Sequence, residues 1–254
     1  MIEALILGVV QGITEFLPVS STAHLIVFPW FFNWSGEVDT LTFDVALHAG
    51  TLLALILCFW RNWIELIFKK QRLLGLIVLA SIPAGIAGFF LNDIAENYLR
   101  NPLIISIMLI AVGFIMLIAE KANKHKDMEK TGLKDAIIIG IAQAVAIIPG
   151  VSRSGITISA GLFRGFEREA AARFSFLLST PIIAGATVLH LKKLTATHNH
   201  NVQLFAIGLI ASFITGTIAI KFLLNFLRKH PLNLFVYYRF ILSVVIIAGI
   251  WLKG

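Results

Sequence analysis

Charge is scarce in this 254-residue chain: Asp, Glu, Lys and Arg make up 14% of it, where a soluble domain carries nearer a quarter. Cysteine is almost absent. The single Cys58 excludes a disulfide framework or a cysteine metal centre within one chain. Strict apolar–polar alternation is missing too, which argues against a membrane β-barrel. The first residues, MIEALILGVVQG, lack a basic leader and a small-residue cleavage site, so they are expected to stay in the mature protein. There is no soluble basic module to carry the net charge of +7 to nucleic acid, and no nucleic-acid partner is expected.

What is there is apolar. Hydrophobic residues make up 58% and the mean hydropathy is +0.88, so the chain needs lipid as solvent. Crossing ~30 Å of hydrocarbon takes about 20 residues of helix. Six runs qualify: 42–60, 73–91, 103–119, 174–191, 202–224 and 232–252. Placing Arg61–Arg72 in the cytoplasm and alternating thereafter puts 15 Lys and Arg inside and 4 outside, with Arg153 and Arg239 left within the membrane. That follows the positive-inside rule. It holds only if 1–32 and 135–162 each enter and leave on one face.

Those two segments resemble each other. GVVQGITEFLPVSSTAH starts at Gly8 and GIAQAVAIIPGVSRSGI at Gly140, an offset of 132 that matches Gln11 with Gln143, Ser20 with Ser152 and Thr22 with Ser154. Each precedes three spans. Three is odd, so the halves run in opposite senses. The expected fold is an all-α polytopic membrane protein with six spanning helices plus two re-entrant helix–loop–helix segments in an inverted-topology repeat. It forms one membrane domain, with halves of about 1–120 and 134–254 joined by a cytoplasmic linker, 121–133.

Each re-entrant segment reads as helix, break, helix. Pro18 and Pro149 each end an incoming helix, and broken backbone at membrane depth is tolerated only beside protein or a wet cavity. A helix restarting near Ser20–Thr22 or Ser152–Ser154 aims free N–H groups at such a cavity and favours an anion, phosphate above all. The first loop holds Gln11, Glu15, Ser20, Ser21, Thr22 and His24; the second holds Ser152, Arg153 and Ser154 between Gly150 and Gly155. An acid, hydroxyls and an imidazole make a nucleophile-and-base set, and the Arg153 fork suits phosphate oxygens. Glu15 with Gln11 offers oxygens to Mg²⁺ or Ca²⁺. Blander roles compete: a Glu15–Arg153 pair that joins the repeats, and serines that only cap helices. Asp44 and His48, one turn apart, either reach the cavity or pair structurally. Arg239 is expected to pack beside the second loop, and Arg173 to snorkel to headgroups. His190 and His198–Asn201 read as a polar outer turn.

The runs QGITEFLPVSSTAH, PGVSRSG, FDVALHAGTLLA and RFSFLLSTP resemble the bacterial undecaprenyl-pyrophosphate phosphatase family, also called the bacitracin-resistance family, over essentially the whole chain. The family's first motif, Glu or Gln then Glu four residues on, falls on Gln11 and Glu15. Its serine and histidine fall on Ser21 and His24, and its loop arginine on Arg153. The resemblance implies hydrolysis of undecaprenyl pyrophosphate to the monophosphate and phosphate. That recycles the lipid carrier for peptidoglycan synthesis and confers bacitracin resistance. It also implies a divalent cation and, in the bacterial inner membrane, a site open to the periplasm. Expected catalytic residues are Glu15, Ser21, His24 and Arg153. Ser20, Thr22, Ser152, Ser154 and Gly155 are expected at the substrate, and Glu15 with Gln11 at the metal. Whether Ser21, His24 or water attacks stays open, as does the oligomeric state, a homodimer included. The runners-up are a transporter or flippase for an anionic lipid, suggested by the repeat alone, and a lipid-binding scaffold. The type 2 phosphatidic acid phosphatases are set aside, because no histidine follows SRSG at a useful spacing.

Overall fold

The computed structural model describes residues 1–194 and 201–253, with side chains left aside at 92, 96, 97 and 190–194. The His190 side chain and His198–His200 therefore lie outside what is described. Among the described residues there is no strand beyond one isolated bridge, Lys126–Phe166. The helices are α1 (Ile2–Phe16), α2 (Ser21–Phe32), α3 (Leu41–Phe68), α4 (Gln71–Tyr98), α5 (Pro102–Glu120), α6 (Leu133–Val145), α7 (Arg153–Phe163), α8 (Arg168–Leu194), α9 (Val202–Leu227) and α10 (Asn233–Lys253).

Six of them, α3, α4, α5, α8, α9 and α10, are long and apolar enough to cross a membrane, so this is an all-α polytopic membrane protein. They correspond to the six expected runs, but several are longer. Helix α3 continues past Arg61 to Phe68, and α8 starts six residues before Phe174 at Arg168. An apolar window stops at the first charges. The helix does not, because Arg and Glu are good helix formers and here pair with one another: Arg173 with Glu169 at 2.7 Å, one turn apart. Arg173 therefore has a protein partner rather than only headgroups.

Ion pairs tie the connections together at one end. Lys70 reaches Glu129 at 3.2 Å, Arg168 reaches Glu120 at 2.7 Å and Arg228 reaches Glu169 at 2.8 Å. The Leu232 amide also donates to Glu120 at 2.9 Å. The basic connections after α3, α5, α7 and α9 thus meet on one side, the grouping the charge count demands. Arg100–Asp44 (3.3 Å) and Lys253–Asn33 (2.8 Å) lie elsewhere. Asp135 in the first turn of α6 holds Arg164, just past α7, at 2.8 Å and also pairs with Lys126. The start of α6 and the end of α7 therefore lie side by side.

Helix α1 lies on α9, and α6, whose sequence resembles that of α1, lies on α4. Close approach needs glycine at both crossings: a Cβ on Gly8 would sit 2.6 Å from the Gly208 carbonyl oxygen, and one on Gly140 2.5 Å from that of Ala80. Small residues serve this purpose where helices associate in lipid. Helix α3 packs on α8 and α9 at the centre, and α5 on α10. These contacts bring the ends of α1, α2, α6 and α7 together inside the bundle.

Candidate functional site

Both helix breaks have the same local construction. Ser20 (φ 76°) and Ser152 (φ 70°) have positive φ, a region that costs a non-glycine residue free energy. Each side chain caps the helix that follows: Ser20 Oγ accepts from the Ala23 amide (3.4 Å) and Ser152 Oγ from the Gly155 amide (3.2 Å). Capping offsets part of the backbone cost. The turn it fixes aims the next residue inward. That residue is Ser21 in the first loop and Arg153 in the second.

Glu15 receives both. Its side chain is 3% exposed. Ser21 Oγ donates to Glu15 Oε2 at 2.6 Å, Gln11 Nε2 donates to the same oxygen at 3.0 Å, and the Arg153 guanidinium donates to Oε1. His48 Nε2 stands 3.5 Å from Oε2. A buried carboxylate needs such partners, because leaving it unpaired costs several kcal/mol or more. Ser154 Oγ crosses to the Leu17 carbonyl at 3.1 Å and lies 3.2 Å from Ser152 Oγ, tying the second loop to the first.

Arg239 holds the loops from behind. It is fully buried and donates to five backbone carbonyls: Pro18 in the first loop (3.3 Å), Gly150 and Val151 in the second (2.8 and 3.2 Å), and Met108 and Leu109 on α5 (3.2 and 3.0 Å). The sequence placed it beside the second loop; the structure puts it between both. It supplies donors for the carbonyls that the breaks free.

Two cavities meet at this centre. One of about 170 Å³ is lined by Glu15, Ser20, Ser21, Thr22, His48, Gln143, Ser152 and Arg153, and walled by Ala84 and Gly88 of α4. A second of about 250 Å³ shares Thr22, His48 and Arg153 and is otherwise mostly apolar, with Leu25, Leu41, Ile182, Ile183 and Ala186. Asp44 and Arg100 also line it. The polar space thus continues into an apolar one.

The structure does not gather every residue singled out from the sequence. Ser154 and Gly155 are spent on loop contacts and capping and line neither cavity. Gln11 holds Glu15 from the far side, with its Oε1 buried and unpartnered. His24 is the main departure. It is 2% exposed and lines neither cavity. Its Nδ1 donates to the Ser20 carbonyl at 2.7 Å, its Nε2 lies 2.7 Å from the Tyr238 hydroxyl, and the two rings stack at 5.7 Å. Both its nitrogens are engaged, and Nδ1 holds the backbone beside Ser21. The imidazole at the cavity is His48, whose Nδ1 donates to the Asp44 carbonyl at 2.7 Å. The sequence signals for it were its place one turn from Asp44 and its position in the run FDVALHAGTLLA. Asp44 itself pairs with Arg100.

The model of the family described as "Bacitracin resistance protein BacA" matches residues 4–245, a stretch that takes in both loops, most of α1 and all of α2 to α9. The chain is 58% identical to an undecaprenyl-diphosphatase of Thermodesulfovibrio yellowstonii over 97% of its length and 96% of that relative. It is 48% identical to one of Moorella thermoacetica (100% and 99%) and 44% identical to one of Desulforudis audaxviator (99% and 98%). Its two-loop centre thus sits in a chain that matches these proteins from end to end, and the protein belongs to the BacA family of bacitracin resistance proteins.

Proposed function

We propose that this protein is an undecaprenyl-diphosphate phosphatase: it hydrolyses the lipid diphosphate to undecaprenyl phosphate and inorganic phosphate, returning the carrier to cell-wall synthesis. The carrying observation is Glu15, gripped between the Ser21 hydroxyl and the Arg153 guanidinium in the wall of a polar cavity that runs on into an apolar one. The substrate has the same two-part character. Its diphosphate needs cation and N–H or O–H donors; its prenyl chain needs hydrocarbon.

In this reading the entering terminal phosphate takes over Arg153 and the Thr22 and Ser152 hydroxyls. Ser21 Oγ attacks the phosphorus while its proton passes to Glu15 Oε2, 2.6 Å away. The bond from phosphorus to the bridging oxygen breaks, and the lipid monophosphate leaves with the proton from Glu15. Water then attacks the phosphoserine, giving a proton to Glu15; Ser21 Oγ leaves and is reprotonated, and phosphate is released. Positioning and charge stabilisation supply most of the rate in phosphoryl transfer. Every group named comes from one copy of the chain.

Among the described residues there is no group of three His, Cys, Asp or Glu that could hold a metal ion. One carboxylate, Glu15, stands beside the unpartnered Gln11 Oε1. Of the two only Glu15 lines the polar cavity, so its carboxylate would be the protein oxygen ligand of an Mg²⁺ or Ca²⁺ that arrives with the diphosphate. Such an ion would neutralise charge on the phosphates.

The site faces the periplasm and the membrane is the bacterial inner membrane in this reading. The basic connections mark the cytoplasmic end, and the apolar cavity runs towards Asp44 and Arg100 away from them. Both loop segments are then re-entrant, from opposite faces. In a Cys58-free variant, a cysteine placed at His125 should label only from inside. Labelling from outside reverses the orientation.

The direct test is phosphate release from a C15 or C55 prenyl diphosphate by the purified protein, with and without EDTA. Release that stops with EDTA and returns with Mg²⁺ or Ca²⁺ is expected. No release under any divalent condition sinks the proposal. A transporter or flippase for an anionic lipid, the alternative suggested by the repeat, has no use for a hydroxyl held on a carboxylate.

A further inference from the structure

We infer that Gln143 is a phosphate-binding residue, resting on the reading that the cavity takes a diphosphate. Gln143 is 3% exposed, and neither its Nε2 nor its Oε1 has a hydrogen-bond partner. Its side chain forms part of the wall of the polar cavity, together with Arg153 and Ser152. A buried primary amide with no partner loses the hydrogen bonds it made to water and gains none.

The repeat explains how this arises. Gln143 is the counterpart of Gln11 at the offset of 132. In the first half the residue four places on is Glu15, and the Gln11 amide donates to it. In the second half that place is taken by Ile147, also in the cavity wall. An isoleucine accepts no hydrogen bond. The amide is therefore left without a partner beside the cation that faces an anion, and its Nε2 supplies a donor for a non-bridging phosphate oxygen. Packing fixes its place: Gly140, one turn earlier, lets α6 press against Ala80 of α4, and Ala84 and Gly88 of that helix share the cavity wall with Gln143.

The test compares Gln143→Leu and Gln143→Glu with the wild type in detergent. Inorganic pyrophosphate is the probe, read by thermal protection and by competition against a C15 prenyl diphosphate. Gln143→Leu should weaken pyrophosphate binding and raise KM about tenfold, the worth of one hydrogen bond to a charged group, with a smaller change in kcat. Gln143→Glu should weaken both further, by like charge. Without ligand, Gln143→Leu should unfold at the same temperature as wild type or a higher one, because an unpartnered buried amide has gone. A purely structural glutamine moves the other way. Unchanged pyrophosphate binding by both variants, or a Gln143→Leu that is less stable without ligand, overturns the inference. Protection by pyrophosphate needs no turnover. A wild type that binds pyrophosphate but releases no phosphate would defeat the functional reading and leave this one standing.

Discussion

The two loops share a backbone and differ in chemistry. Ser20 and Ser152 adopt the same positive-φ cap, so the residues after them, Ser21 and Arg153, come to equivalent places. From there they approach opposite oxygens of one carboxylate. The carboxylate belongs to only one half: Glu15 is matched by Ile147. Two loops of like local construction thereby form an asymmetric centre, with a hydroxyl and its acceptor from one and a fixed cation from the other. Identical geometry delivers whatever side chain the sequence places there, and a single-residue difference separates the roles.

The largest test of that division falls on the second loop. Arg153→Ala should cut kcat/KM by about 10³-fold, the scale for removing a preorganised charge-stabilising donor. Arg153→Lys should recover little, since an ammonium lacks the two-pronged fork. Wild-type turnover by Arg153→Ala would remove the clamp from the account and with it the division of labour.

Next comes the brace that makes the loops comparable at all. Arg239→Met leaves five carbonyls of both loops and α5 without their donor. A loss on the order of 3 kcal/mol or more is expected, read as a lower unfolding midpoint in detergent. If only one loop depends on Arg239, proteolysis or labelling will open that loop alone, and the symmetry of the support fails.

The smallest effect should come from His24. His24→Phe keeps the ring against Tyr238 and removes the hydrogen bond to the Ser20 carbonyl. A misplaced Ser21 should cost about 10–100-fold in kcat, less than Ser21→Ala costs. Equal losses in the two variants would instead return His24 to the reaction itself.

Much of this was legible beforehand, for identifiable reasons. Continuous apolar runs, the lopsided placement of Lys and Arg, and the offset of 132 are linear properties, and lipid makes them decisive by allowing little besides helices. The six spanning helices, the breaks at Ser20 and Ser152 and the nearness of Glu15 to Arg153 follow from them. Helix ends were misjudged where charges continue a helix, as at Arg61 and Arg168. His24 was expected at the cavity because it belongs to the polar cluster of the first loop and the family's histidine falls on it. That spacing puts it on its helix but leaves the direction of its ring to α10, where Tyr238 receives it.

The sequence by itself therefore determined the class of the molecule, its solvent, its two loops and its family. Tertiary packing decided which polar groups touch. It replaced His24 with His48 at the cavity, set Arg239 between both loops, and left the Gln143 amide unpartnered while Gln11 found Glu15. The physical reason is that hydropathy and periodicity sum over many residues and survive averaging. A hydrogen bond depends on angstrom-scale placement of two side chains from distant segments, which only the packed helices fix.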